Sequence, residues 1–149
     1  MPSILFFLGI LMSVAALESL GMLFDFAGVL ESSVPYLGTE HASTKISDLV
    51  VLLLGAGSAI IDNVPLVAAS IGMFQIGTDE PAWHFIAYAA GTGGSMLIIG
   101  SAAGVVAMGM EKIDFVWYLK KIGWLAFIGF IAGSIGFVLL RDFLLNVVQ

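Results

Sequence analysis

Long apolar runs alternate with short polar connections along this chain, and the runs set the elements. Pro2–Phe24 is apolar, with one carboxylate, Glu18, near its far end. A helix across a bilayer takes about 20 such residues. The run lacks the basic start and small-residue cleavage site of a signal peptide, so it reads as a true transmembrane helix over 2–24. Residues 25–48 form a polar connection, with Asp25, Glu31, Glu40 and Asp48 against Lys45 and a short interfacial helix expected over Ala27–Leu37. Residues 49–76 hold two apolar arms, Leu49–Ile61 and Leu66–Ile76, separated by Asp62-Asn63-Val64-Pro65. Neither arm can cross about 30 Å of hydrocarbon at 1.5 Å per residue. After the acidic turn Asp79-Glu80-Pro81 comes a 28-residue apolar run, Trp83–Met110, interrupted by Gly91-Thr92-Gly93-Gly94-Ser95. Glycine costs about 1 kcal/mol relative to alanine in a helix. The run therefore predicts a broken helix, Trp83–Ala90 and then Met96–Met110. Glu111–Lys121 is an amphipathic linker, and Ile122–Leu140 is a last spanning helix closed by Arg141 and Asp142.

Composition narrows the class. Of 149 residues, 60% are hydrophobic and 11% charged, with a formal net charge of −6. A soluble domain carries about 25% charged residues. This chain cannot cover a water-facing surface, which excludes a soluble enzyme and a disordered chain. Five cations cannot neutralise a phosphate track, which excludes a nucleic-acid partner. Cysteine is absent, so there is no disulfide framework and no thiolate metal site. The expectation is an all-α membrane protein, a single membrane domain over 1–149. It has about three spanning helices, one of them discontinuous, plus one re-entrant helical hairpin. Most secondary transporters are two repeats of this size or larger. The chain is thus expected to pair with a second copy of itself or to be a piece of something bigger.

The segment 49–76 allows two readings: one spanning helix with Asp62, Asn63 and Pro65 at its centre, or a re-entrant hairpin with them at its tip. Short loops rich in Lys and Arg stay cytoplasmic. Residues 111–121 carry Lys112, Lys120 and Lys121, three of the five cations, and are placed inside. The C-terminus is then outside, and so are Asp79 and Glu80. With a hairpin, residues 25–48 are also an external connection, and both external connections are acidic. That pattern favours the hairpin, with the broken helix over 83–110, the cytoplasmic linker over 111–121 and the last helix over 122–140.

Charged groups inside membranes are rare and expensive. Asp62 lies mid-membrane in either reading, and Asn63 beside it adds an amide oxygen. Pro65 disfavours helix before it and frees backbone carbonyls. That oxygen set suits a hard monovalent cation. The Asp62 carboxylate can equally hold a proton, and a site that takes either is the minimal chemistry of an antiporter. A competing role for Asp62 is to cap the second arm. Thr92 and Ser95 offer hydroxyls for the second half of the site, and Gly91, Gly93 and Gly94 let backbone approach an ion. Ser58 and Ser101 are further candidates from the neighbouring arms. The GxxxG pairs Gly100/Gly104 and Gly129/Gly133 read as helix packing. Glu18 faces either a polar interior or the headgroups. His41 and His84 fall at the interfaces, with Trp117, Tyr118 and Trp124 as an inner aromatic belt.

Two stretches carry a resemblance. Ser58-Ala59-Ile60-Ile61-Asp62-Asn63-Val64-Pro65-Leu66-Val67-Ala68-Ala69 closely resembles the C-terminal hairpin of NhaD-type sodium/proton antiporters. Gly91 to Gly104 resembles the broken helix that follows it, and Pro2–Leu11 also fits. The family belongs to the ion transporter superfamily, with arsenite and dicarboxylate carriers as relatives. The resemblance implies the second of two inverted repeats, hence the C-terminal half of a secondary antiporter in a bacterial inner membrane. It implies Na+ or Li+ and H+ as transported ions at Asp62 and Asn63, with no other cofactor. The partners implied are the lipid bilayer and a missing N-terminal half or a second copy. Two alternatives remain: an anion carrier of the arsenite or dicarboxylate kind, and a non-transporting truncated remnant.

Overall fold

A computed structural model describes residues 2–35, 46–74 and 76–148. Every regular element among them is helical. Helix α1 spans Pro2–Ser19 and α2 spans Met22–Ser33. The single helix expected over 2–24 is therefore two. Gly21 sits between them at φ 73°, a left-handed conformation that a glycine adopts without penalty. The segments Leu11–Ser19 and Met22–Ser33 meet at 77°. The interfacial helix expected over Ala27–Leu37 starts earlier and ends at Ser33. Lys45, Glu40 and His41 lie outside the described residues.

Helix α3 (Asp48–Gly57) and α4 (Asn63–Met73) are each about 15 Å long, half a hydrocarbon thickness. Helix α5 covers Pro81–Gly93, with Pro81 in its first turn, where its missing N–H costs nothing. Two 3-10 turns follow, Gly94–Met96 and Ile98–Gly100, and then α6, Ala102–Glu111. The expected break at Gly91–Ser95 thus falls later. The helix continues through Gly91 and Thr92 to Gly93, and Gly94–Ser101 is the unwound part. Lys112, in the left-handed region at φ 52°, turns the chain. The linker expected over 111–121 is mostly absorbed into the last helix. Helix α7 (Phe115–Tyr118) runs through a π-helical turn, Leu119–Gly123, into α8, Trp124–Val148.

Among the described residues, Phe115–Leu144 is the one helix long and apolar enough to cross a membrane, and the bent pair α1–α2 is a second if counted as one span. Leu125, Leu139 and Phe143 on α8 are each more than 60% exposed. A surface this apolar suits lipid better than water.

The helices have a shared base and a shared tip. At the base, Asp48 at the start of α3 meets Arg141 of α8, and Arg141 shares a cavity wall with Pro81 and His84 at the start of α5. At the tip, Ser58 meets Ala90, and Gly123 lies against Met96. So α3 and α5 run side by side in one direction and α8 runs back. The loop from α4 to α5 is short, and its Gly77 carbonyl already accepts from the Trp83 indole at 2.9 Å. Helix α4 therefore returns toward the base, and the chain reverses at Ser58–Asp62. The core lies where α3, α5 and α8 meet. Val50, Val51, Leu54, Phe85, Ile86, Ala89, Ala90 and Phe130 are buried there, and Phe85 stacks on Phe137 at 5.0 Å. Leu23 and Ala27 of α2 cover the outer face of α4, and Glu18 packs its side chain against Gly72.

Candidate functional site

The tip is built by close backbone approach. A Cβ on Gly55 would stand 2.8 Å from the carbonyl oxygen of Ala89, and one on Gly93 would overlap the Gly55 carbonyl. Two glycines facing each other let α3 and α5 touch main chain to main chain. Ser58 ties the contact. Its hydroxyl is fully buried, 2.7 Å from the Ala90 carbonyl and 2.8 Å from that of Gly55, and its one hydrogen serves one of them at a time.

The next two residues of interest point different ways. Asp62 is the N-cap of α4, its Oδ1 accepting from the Asn63 backbone N–H at 2.8 Å. Pro65 then lies in the first turn of α4, buried, where it starts the helix rather than breaking one. Asp62 remains half-buried and lines an open groove of about 760 Å³ with Leu5, Ser13 and Leu17 of α1 and Ile99 of the break. Asn63 turns inward. Its Oδ1 is buried and, among the described residues, is the one buried side-chain polar atom with no hydrogen-bond partner.

That oxygen lies against Gly94, where any Cβ would overlap it and would come within 2.9 Å of the Gly100 carbonyl. A Cβ on Gly100 would in turn overlap the Gly94 carbonyl and stand 2.7 Å from that of Ala59. The Asn63 amide oxygen and the Gly100 carbonyl thus meet at Gly94, and the carbonyls of Gly94 and Ala59 meet at Gly100, so two glycines let oxygen-bearing backbone pack closely around the break. An acceptor buried without a donor costs about 1–3 kcal/mol, so its retention needs a reason. Oxygens alone, with no thiolate or imidazole, fit a hard cation. Among the described residues no three His, Cys, Asp or Glu side chains gather elsewhere.

The other candidates divide. Thr92 donates to the Tyr88 carbonyl one turn back at 2.7 Å. Ser95 is exposed, and its backbone carbonyl accepts from the Tyr118 hydroxyl at 2.9 Å. Ser101 caps α6, accepting from the Gly104 N–H at 3.0 Å. Gly91 faces open space. The structure thus brings together Ser58, Asn63, Gly93 and Gly94, sets Asp62 beside them in the groove, and leaves Gly91, Thr92, Ser95 and Ser101 in local roles.

Over 93% of its length the chain is 47% identical to sodium/proton antiporter 1 of Arabidopsis thaliana, of which it covers 23%. It is 46% identical over the same share to that plant's sodium/proton antiporter 2, covering 31% of it. It is also 39% identical over 87% of its length to the Na(+)/H(+) antiporter NhaD of Alkalimonas amylolytica. The chain is similar to one segment of sodium/proton antiporters, NhaD among them. These relatives are transporters, not enzymes, and the chain spans about a quarter to a third of their length. No protein-family model and no solved structure matches it.

Sequence reasoning missed three parts of the arrangement. Gly55 and Gly100 complete the glycine contacts, but each looks like an ordinary small residue in an apolar run. Ala59 contributes only its carbonyl, which no side-chain pattern reveals. Arg141 makes a bidentate pair with Asp48, both bonds 2.7 Å, with both side chains about 12% exposed or less. A signal for that pair was present: each charge borders an apolar run on the side assigned to the outside.

Proposed function

We propose that this chain forms the C-terminal half of a secondary antiporter that exchanges Na+ or Li+ for H+. The observation that carries the reading is the Asn63 amide oxygen, buried and unpartnered against Gly94 of the unwound segment, with the Gly100 carbonyl at the same glycine. A partly dehydrated cation would satisfy that oxygen and draw on the carbonyls, as unwound helix segments do in transporters. Asp62, one residue away and open to a groove, would supply the negative charge when the cation is bound. It would take the proton when the cation leaves. One carboxylate suits a monovalent ion, because its charge balances a single positive one. The similarity to sodium/proton antiporters supports the same ions.

The hairpin α3–α4 would enter the membrane from outside and turn back at its tip. The broken helix α5–α6 would cross beside it, and α8 would cross last with its end outside. The half-membrane length of α3 and α4 and the lysines at positions 112, 120 and 121 support this placement. The whole transporter would need the complementing half, supplied by another polypeptide segment or a second copy.

Reconstituted in vesicles with the complementing half, the chain should release protons when Na+ or Li+ is added. Asp62→Asn should abolish that release, because the amide cannot hold the exchanged proton. Asn63→Ala should raise the cation concentration needed by about tenfold or more, the scale of one lost ligand in a buried site. Unaltered exchange in Asp62→Asn would overturn the reading.

A further inference from the structure

The last helix contributes no oxygen to the tip, yet it grips the backbone that does. Its π-helical turn, Leu119–Gly123, lies directly over the break. Tyr118, at the head of the turn, donates its hydroxyl to the Ser95 carbonyl at 2.9 Å. Gly123, at its far end, is buried against the next peptide, where a Cβ would stand 2.7 Å from the Met96 carbonyl. Ser95 and Met96 are the two residues that follow Gly94.

The π-turn is what lets both contacts form. At 3.6 residues per turn, positions five apart on an α-helix face directions about 140° apart. A turn closed by i→i+5 bonds brings the fifth residue back near the starting face. Tyr118 and Gly123 are five apart, so in a regular helix one of them would turn away from the break. Such turns are rare, and they cluster at functional sites. Neither proline nor a helix-breaking pair accounts for this one, since the turn reads Leu-Lys-Lys-Ile-Gly.

We infer that Tyr118 and Gly123 are positioning residues for the cation site. They hold the unwound segment in register so that Gly94 and the Gly100 carbonyl stay against the Asn63 amide. A carbonyl cage discriminates ions by how closely its oxygens are held, so loosening the segment lowers both affinity and discrimination. This inference rests on the cation reading of the tip.

The chain assembled with the complementing half and purified in detergent tests it by thermal unfolding, titrated with NaCl, KCl or choline chloride at constant ionic strength. A ligand that binds only the folded chain raises the melting temperature with its concentration. The wild-type chain should respond to Na+ at lower concentration than to K+. Tyr118→Phe removes one hydroxyl and should shift the Na+ midpoint upward by about tenfold. It should also bring the Na+ and K+ midpoints together, while the melting temperature in choline changes little. Gly123→Ala should shift the ratio the same way by displacing the Met96 carbonyl, and it decides the matter if Tyr118→Phe does not fold. Unchanged Na+ midpoints and an unchanged Na+/K+ ratio in the folded variants would overturn the positioning role alone, provided Asn63→Ala loses the response. A wild-type chain with no response to Na+ would overturn the tip site and this inference with it.

Discussion

The two ends of the α3–α5–α8 packing solve opposite problems. At the base, Asp48 and Arg141 are removed from water as a matched pair, each oxygen of the carboxylate taking one guanidinium N–H at 2.7 Å. Every strong demand there is met within the chain. At the tip, the Asn63 oxygen is buried with no donor, and Gly94 lets backbone pack directly against it. A packed core normally satisfies its polar atoms and fills its voids. The base behaves as a core should, whereas the tip leaves a buried acceptor unsatisfied. That contrast separates a fastening from the site proposed to bind a cation, although both rest on polar atoms between packed helices.

Substitutions can break the contrast at either end. The largest loss of stability is expected for Gly93→Ala, whose methyl would overlap the Gly55 carbonyl. Backbone cannot yield as a side chain can, so a cost of about 3 kcal/mol or more should appear as poor recovery of folded chain and a lowered melting temperature. At the base, Arg141→Gln leaves the Asp48 carboxylate without its partner and should cost about 3 kcal/mol. The double variant Asp48→Asn/Arg141→Gln should cost less than the sum of the two single ones, as a double-mutant cycle on melting would read. None of these base variants should change the Na+ midpoint of the folded protein. If one does, the base is not merely a fastening.

Smaller effects sharpen the tip. Ser58→Ala removes the buried hydroxyl that ties α3 to α5, for about 1 kcal/mol in thermal unfolding, the Ala90 carbonyl keeping the Gly94 N–H. Ser101→Ala removes a cap from α6 and should cost about 1 kcal/mol with no change in cation preference. Ser95→Ala should be the quietest change, in stability and in Na+ affinity alike, because the structure engages the Ser95 carbonyl and not its hydroxyl. A large loss of Na+ affinity in Ser95→Ala would return that side chain to the site.

The uneven legibility of the chain follows from which atoms matter. Asp62 and Asn63 stand out because a carboxylate and an amide amid apolar residues are costly in a membrane, so their presence asks for a role. The breaks before Pro65 and after Gly93 were legible because proline disfavours helix at the residue preceding it and clustered glycine weakens a helix locally. Their boundaries were less so: α5 runs on through Gly91–Gly93 because burial against Gly55 and Ser58 outweighs the weak helix preference of glycine. The kink at Gly21 was hidden because a lone glycine in an apolar run reads equally well as helix. Thr92 was named for a hydroxyl that its own helix consumes.

By itself, the sequence determined the composition class, the helical character of the apolar runs, the two interruptions and the chemistry available at them. Those properties reside in single residues and their near neighbours, where cost and preference are local. Only the tertiary structure decided that Asn63 points inward while Asp62 lines a groove. It also decided that backbone carbonyls pack at the glycines beside Asn63, and that the last helix reaches the start of α3 through Arg141 and the unwound segment after α5 through Tyr118. Each of these depends on how helices distant in sequence approach one another. Main-chain oxygens carry no residue identity, so a site built from them becomes visible only when the chain is folded.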